Sequence, residues 1–417
     1  MTKAEDASSR RNIDMDKHPD ILFILSNRHR RDFTGAGGAQ LVHTPNIDRL
    51  AAEGTWFDKA AAIFPAPDES RASILTGGYP SRGNAPAGLA DSPLGQTLAA
   101  AGYSLTEIMP ETGPDGLSRT TDRAIAALEG GEAPRLTLVN LPEINGETDD
   151  LPEDILNLYR GNGVPLAMHH AAVTACDRAV GRVLDALAAS GRADRTVVIY
   201  SSIVGDQYKF RDAVNLGGHT CYDDCIRVPL IIRQPGGPAG QRLDQIVGLH
   251  DIAPTLAALA GTTLSESDGE SLLPLIAGDD VAWRDALYLQ NRHLRHIAVT
   301  FQDGKAYYGT FPPWDQRAIW NGRHKLILSA DNGRHSLFDT CIDPEEEFDL
   351  FGAPHRRTPM DELTKFKDTM PLIQQLSRQM AEMAEGIGDS AGSALAREIA
   401  TSADPLHRPA GTPFHHL

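Results

Sequence analysis

The sequence lacks the long apolar runs and the cysteines that mark membrane-spanning or disulfide-stabilised proteins. No stretch approaches the roughly 18 consecutive apolar residues of a spanning helix. Only 4 of the 417 residues are cysteine, which is too few for a disulfide framework. The first 18 residues are polar and contain no apolar segment of the kind that a secretory signal needs. We therefore predict a cytoplasmic protein with reduced thiols.

Basic residues are also in short supply. The chain has 39 Lys and Arg against 56 Asp and Glu, and its formal net charge is −17. An acidic surface repels the phosphates of nucleic acids and the headgroups of anionic lipids. We therefore expect neither nucleic-acid nor membrane partners. A hydrophobic content of 41% is that of an ordinary folded protein.

Short apolar runs alternate with helical patterns along most of the chain. Residues 21–25, 136–139 and 197–200 are continuous apolar runs, as in strands that are buried on both faces. Between the last two runs, residues 167–188 repeat apolar side chains at spacings of three and four, which is typical of a helix. Strands that alternate with helices predict an α/β sandwich with a mainly parallel central sheet.

The pattern changes after about residue 280. Short segments around glycine-containing turns then indicate antiparallel strands, followed by one more helical pattern. We predict a smaller α+β C-terminal subdomain there. The predicted organisation is a flexible N-terminal tail at 1–18, the α/β domain at 19–279, the C-terminal subdomain at 280–385, and a C-terminal tail or arm at 386–417.

Several sequence motifs occur in an order that is typical of one enzyme family. Residues 70–80 read SRASILTGGYP, and residues 44–54 read TPNIDRLAAEG. Residues 222–232 (YDDCIRVPLII) and 251–256 (DIAPTL) follow later. Together these segments resemble the sulfatases, within the alkaline phosphatase superfamily, over roughly residues 19–355. The resemblance implies the sulfatase fold, with a site beyond the carboxyl ends of the parallel strands.

The chemistry that the resemblance implies does not follow. A sulfatase has a formylglycine nucleophile four residues before the motif arginine, Arg71, and Pro67 stands there. Asn27 and Arg28 replace two carboxylates that hold a calcium-type cation in the family, and such cations need oxygen ligands. The second pair of metal ligands and the sulfate-binding lysine are replaced by Ile203, Val204 and Gly218. We predict no bound metal and no cofactor.

The residues that replace this site have a structural interpretation. Pro67 at a first helical position, followed by Asp68 and Glu69, suits the N-terminus of a helix. Arg28 would lie near the lost cation and form an ion pair with Asp68 or Glu69. This ion pair would take over the structural role of calcium.

A functional interpretation stands beside it. We favour a repurposed, metal-independent enzyme that performs acid–base chemistry of the lyase, isomerase or condensation type on a small polar metabolite. The alternative is a catalytically inactive pseudosulfatase that acts as a binding or scaffolding subunit, and hydrolysis of sulfuric or phosphoric esters is a remote third. A homo-oligomer through the C-terminal region is left open. The expected catalytic residues are His219, Asp68 and Glu69, and the expected substrate contacts are Arg71, Arg28, His29 and Asn27.

Overall fold

A computed structural model describes residues 18–83, 85–130, 134–144, 151–161, 163–207, 220–293, 296–302, 305–311, 314–330, 335–351 and 363–402. The predicted N-terminal tail lies outside this part of the chain except for His18, and so do residues 403–417 of the predicted C-terminal tail. The predicted catalytic residue His219 also lies outside the described residues.

Seven strands in the described residues form one mainly parallel sheet, which confirms the predicted fold class. The strand order is β3-β4-β1-β5-β6-β2-β7, and β6 runs antiparallel to both of its neighbours. Phe23 pairs with Leu138 on one side and with Ile199 on the other, so the three predicted apolar runs share this sheet. The strands are β1 (Asp20–Asn27), β2 (Thr55–Ala61), β3 (Ser104–Ile108), β4 (Arg135–Glu143), β5 (Thr196–Ser202), β6 (Leu230–Arg233) and β7 (Gln241–Gly248).

Helices cover both faces of this sheet. Alternate residues of a central strand point to opposite faces, so an apolar strand leaves both faces to be buried. Phe23 belongs to the core cluster under α2, α3 and α8. Its neighbour Ile24 belongs to the cluster under α1, α4 and α6. The helices are α1 (Pro45–Glu53), α2 (Pro67–Thr76), α3 (Pro93–Ala100), α4 (Gly116–Leu128), α5 (Glu153–Tyr159), α6 (Ala167–Ala189), α7 (Asp223–Ile226), α8 (Ile252–Leu259) and α9 (Leu273–Ala277).

The C-terminal part carries a smaller antiparallel sheet. Its four strands have the order β13-β12-β11-β8, and a separate hairpin joins β9 to β10. The position of the boundary near residue 280 stays a prediction. The elements are β8 (Leu287–His293), β9 (His296–Gln302), β10 (Lys305–Phe311), β11 (Trp314–Trp320), β12 (His324–Ser329), β13 (Ser336–Asp339), α10 (Leu363–Gly386) and α11 (Ser390–Thr401).

Helix α11 lies in the stretch that we predicted as a tail or arm, so the tail prediction is wrong for residues 390–401. The Asp389 side chain accepts a hydrogen bond from the Gly392 backbone N–H, 3.1 Å away, and thereby caps the helix. Ala396 and Ile399 are buried in the core of the subdomain. A composition rich in small residues misled the prediction, because small residues also allow helices to pack closely.

The same aspartate anchors a buried polar network. Asp389 pairs with Arg317 of β11, and both side chains are only 2% exposed. Its Oδ2 also accepts hydrogen bonds from the Tyr288 hydroxyl at 2.9 Å and from Gln290 Nε2 at 2.6 Å. The end of the described chain is thus bonded to two strands of the small sheet.

Two general properties follow from the described residues. No helix in them is long and apolar enough to cross a membrane. The four cysteines are free thiols, with Cys341 exposed and the other three buried.

Candidate functional site

The candidate site lies where β1 ends and the chain turns sharply. Arg28, the first residue after β1, has a φ angle of 65°, a left-handed conformation that non-glycine residues adopt infrequently. Asn27 closes the strand, and its backbone carbonyl accepts a hydrogen bond from the Ile144 N–H at 3.0 Å. The Asn27 side-chain oxygen is buried without a hydrogen-bond partner. The left-handed turn directs the Arg28 side chain toward the ends of the neighbouring strands.

Arg28 bridges two carboxylates from these neighbouring strand ends. Its Nε lies 2.7 Å from Oε1 of Glu143, the last residue of β4. Its Nη1 donates to Oδ1 of Asp206, which follows β5, at 3.3 Å. The Asp206 side chain is 7% exposed and that of Arg28 is 22% exposed. The predicted ion pair of Arg28 with Asp68 or Glu69 is therefore wrong, because strand-end carboxylates are its partners.

The segment after β5 is apolar where a hydrolytic site needs polar groups. Ile203 and Val204 are buried in the core cluster under α2. The Ser70 hydroxyl of α2 donates to the Ile203 carbonyl at 2.6 Å, which fixes the start of α2 against this segment. Gly205 is required here, because an added Cβ would lie 2.1 Å from the Asp224 carbonyl oxygen. The end of β5 and the start of α2 therefore meet, as expected for a sheet of this type.

Helix α2 begins as the sequence predicts. Pro67 occupies its first turn, and the acidic residues Asp68 and Glu69 follow. Asp68 is exposed and Glu69 is half-buried. Neither carboxylate forms an ion pair with another described residue. Both are accessible negative charges at a helix N-terminus, where the helix dipole stabilises them.

The Arg71 side chain forms an ion pair within the protein. Its guanidinium pairs with Glu107 on β3, whose other carboxylate oxygen accepts the Leu89 N–H at 2.8 Å. Asn140 on β4 donates to the same glutamate at 3.2 Å. The Nε atom of Arg71 is buried without a partner. Arg71 therefore braces α2 against β3, and its role as a substrate contact stays a prediction.

His29 is part of the framework. The ring is fully buried, with Nδ1 2.6 Å from the Tyr200 hydroxyl and Nε2 3.1 Å from the Phe33 carbonyl oxygen. Burial lowers the pKa of His29 to about 4, so the ring is neutral at physiological pH. With both nitrogens engaged and the ring buried, His29 supports the framework of the site, and its role as a substrate contact stays a prediction.

The residues present do not fit a calcium-type cation at this position. Such an ion takes six to eight oxygen ligands. Here the two nearest carboxylates, Glu143 and Asp206, already neutralise the Arg28 guanidinium. A divalent cation between them would face the positive charge of that side chain. In the part of the chain that the structure describes, no group of three or more His, Cys, Asp or Glu side chains could hold a metal ion.

Sequence reasoning missed Glu143, Asp206 and Glu107. A signal for the first two was available, because Glu143 ends β4 and Asp206 follows β5, and these two strands flank β1. In a parallel sheet such positions converge at one edge. Glu107 lies within β3, at the edge of the sheet, and nothing in the sequence pairs it with Arg71.

Comparison with known proteins identifies the family. The sulfatase family model matches residues 19–125 and 145–262, which is more than half of the chain. The chain belongs to the sulfatase family. A second model, described as the C-terminal part of N-sulphoglucosamine sulphohydrolase, matches residues 218–372.

Two relatives are similar to the chain over most of their length. The chain is 22% identical to the ulvan-active sulfatase of Formosa agariphila, over 88% of this chain and 82% of the relative. It is 22% identical to an endo-4-O-sulfatase of Bacteroides thetaiotaomicron, over 89% and 93%.

Solved structures show the same fold. A Bacteroides thetaiotaomicron structure from work on glycosaminoglycan metabolism has a TM-score of 0.74 at 20% identity, covering 93% of this chain and all of the other. The phosphonate monoester hydrolase of Agrobacterium radiobacter has a TM-score of 0.68 at 18% identity, covering 87% and 96%. At such identities the likeness concerns the fold alone.

Proposed function

We propose that this member of the sulfatase family does not hydrolyse sulfate esters, and that its former active site is a metal-free binding site of mixed charge. The observation that carries the proposal is Arg28, whose guanidinium is held by Glu143 and Asp206 at the ends of β4 and β5. A protein cation thus occupies the strand ends where the resemblance implies a metal ion. Pro67 supports the same proposal, because it stands at the position of the family's nucleophile and its side chain contains no nucleophilic group.

The charges that remain open at this edge suggest the class of ligand. Asp68 and Glu69 offer negative charge at the start of α2, and neither is neutralised by a described side chain. They would repel a sulfate or phosphate from the helix N-terminus. An amine-bearing or zwitterionic small molecule suits such a surface better than a dianion. Binding without turnover is the function that the geometry supports best, because His29 is sequestered and Arg71 is engaged.

The second candidate is the repurposed acid–base enzyme. It is favoured by the accessibility of Asp68 and Glu69, because a general base must reach the proton that it removes. Such an enzyme also needs a partner group with a different pKa at hydrogen-bond distance from the same substrate. His219 is our candidate for that partner.

A turnover assay tests the loss of hydrolysis. The purified full-length chain is incubated with nitrophenyl sulfate, nitrophenyl phosphate and a sulfated polysaccharide, with and without added Ca²⁺. We expect release rates equal to those of buffer alone. The Pro67→Cys variant serves as the matched comparison and should stay inactive, because a new thiol does not restore the metal ligands. Calcium-dependent release of sulfate by the wild-type protein would overturn the proposal.

A binding screen separates the two candidates. Amino acids, amino sugars and polyamines are tested by thermal shift against the wild-type protein, Asp68→Asn and Glu69→Gln. A ligand of this site should lose its shift in these variants and keep it in Asp194→Asn, which alters an exposed acid outside the site. NMR spectra of the ligand after incubation then show whether it is converted. Unchanged ligand supports the binding role, whereas conversion that both variants abolish supports the enzyme.

A further inference from the structure

A partly open cavity of about 220 Å³ is lined by residues of both the α/β domain and the C-terminal subdomain. Its lining includes Tyr79, three residues after α2, and Met383 and Ile387 of the α10 region. Helix α2 has ten residues, so its two ends are about 15 Å apart. The cavity is therefore separate from the candidate site at the N-terminus of that helix.

One wall of the cavity is an imidazole without hydrogen-bond partners. His250 is 2% exposed, and its Nδ1 has no partner. Its Nε2 lies 3.9 Å from Asp251 Oδ1, which is beyond hydrogen-bond distance. Burial lowers the pKa of His250 to about 4, so the ring is neutral and offers one donor and one acceptor. A buried polar group in this condition is costly unless a partner satisfies it.

The charged groups around the cavity are already neutralised. Arg284 is bonded through both terminal nitrogens to Asp251, at 2.5 and 2.7 Å. Asp268 accepts two hydrogen bonds from Arg82 Nε, at 3.1 and 2.8 Å. A ligand with a net charge would find no unpaired counter-charge and would lose part of its hydration on entry. An uncharged ligand meets no such penalty.

The apolar part of the wall indicates the chemistry of the rest of the ligand. Leu287 and Tyr288 of β8 are almost completely buried, and they line the cavity together with Met383 and Ile387. The Tyr79 ring packs 5.3 Å from the His250 ring, centroid to centroid. A cavity of about 150 Å³ accepts benzene, so this one has room for a ring with a polar substituent.

We propose that this cavity binds a small uncharged molecule with an apolar ring and one hydroxyl or carbonyl group, and that His250 is its hydrogen-bond partner. The site goes beyond the proposed function and does not depend on it. Binding would join β8 and α10 of the subdomain to the loop after α2. Occupancy would therefore stabilise the contact between the two parts of the chain.

Calorimetric titration with three probes of one size tests the proposal. Phenol has the ring and the hydroxyl, benzene has the ring alone, and benzoate has a charge. We expect phenol to bind about tenfold more tightly than benzene, as one added hydrogen bond allows, and benzoate not to bind. His250→Phe keeps the shape of the ring and should reduce phenol to the affinity of benzene. His43→Phe, at an exposed position, should change nothing.

A second variant guards against effects on folding. Met383→Trp fills the cavity from α10 and should abolish binding of both phenol and benzene. In the wild-type protein, phenol should also move the ¹⁵N resonances of the His250 ring, a readout that requires no substitution. The proposal fails if phenol binds equally well to wild type and Met383→Trp, or if the wild-type protein does not prefer phenol to benzene.

Discussion

Replacing His29 by glutamine measures how strongly this buried ring couples stability to pH. The pKa of His29 is about 4 in the folded protein because burial disfavours the charged ring, whereas a histidine in an unfolded chain has a pKa of about 6.5. Between these values the unfolded chain holds a proton that the folded protein lacks. Stability is therefore complete above about pH 6.5 and is lost as the pH falls toward 4. The full difference is about 3.4 kcal/mol, of which about 2 kcal/mol is lost by pH 5.

The assay is urea unfolding followed by circular dichroism at pH 7.5 and pH 5.0. Glutamine does not titrate, so His29→Gln should lose about 2 kcal/mol less free energy of unfolding between these pH values than the wild-type protein. Comparing the two differences cancels the titration of other groups. His43→Gln, at an exposed position, is the matched control. If His29→Gln shows the pH dependence of the wild-type protein, the ring is not the buried, neutral group described above.

Three further predictions concern charge. Elemental analysis of the purified protein should find no stoichiometric Ca²⁺ or Mg²⁺, and a metal whose removal by EDTA lowers the melting temperature would contradict the role given to Arg28. Arg28→Met should lower the free energy of unfolding, measured in urea, by about 2 kcal/mol. The loss should be smaller when Arg28→Met is made in the Glu143→Gln variant. Additive effects of the two substitutions would show that Arg28 and Glu143 do not interact. Asp389→Asn should cost about 2–3 kcal/mol, because it removes the buried one of the two carboxylates that pair with Arg317 and weakens a charged hydrogen-bond network; a melting temperature within a degree of wild type would refute this.

The fold class could be predicted from the sequence because strands that are buried on both faces are continuous apolar runs. The apolar runs that became β1, β4 and β5 are legible without knowledge of their neighbours. The sequence does not predict that β6 lies antiparallel between β5 and β2, because nothing in its four residues indicates the direction of the strand. Helix α11 was missed because residues 386–393, at and before its start, are rich in glycine and serine, which are typical of loops.

The candidate site was harder to predict, because its partners are distant in sequence. The start of α2 carries its own signature, so Pro67, Asp68 and Glu69 could be placed from local rules. Local rules do not reveal the partner Asp206, which lies 178 residues from Arg28; only the convergence of strand ends in a parallel sheet points to it. Burial of His29 depends on Tyr200, whose position only the folded sheet defines. The cavity beside His250 joins segments from residues 79 to 387, and such a site leaves no sequence motif.

The pairing of Asp389 with Arg317 has a consequence for biosynthesis. Domains fold as their residues leave the ribosome, and the strands of the large sheet are complete once Gly248 has emerged. The small sheet contains a buried arginine, Arg317, whose buried counter-charge Asp389 lies 72 residues further along. Until that aspartate emerges, the ion pair of Arg317 with Asp315 is formed without the second, buried carboxylate, so the polar network of the small sheet is completed late. A nascent chain that stalls before residue 389 would expose the unfinished sheet to chaperones and proteases.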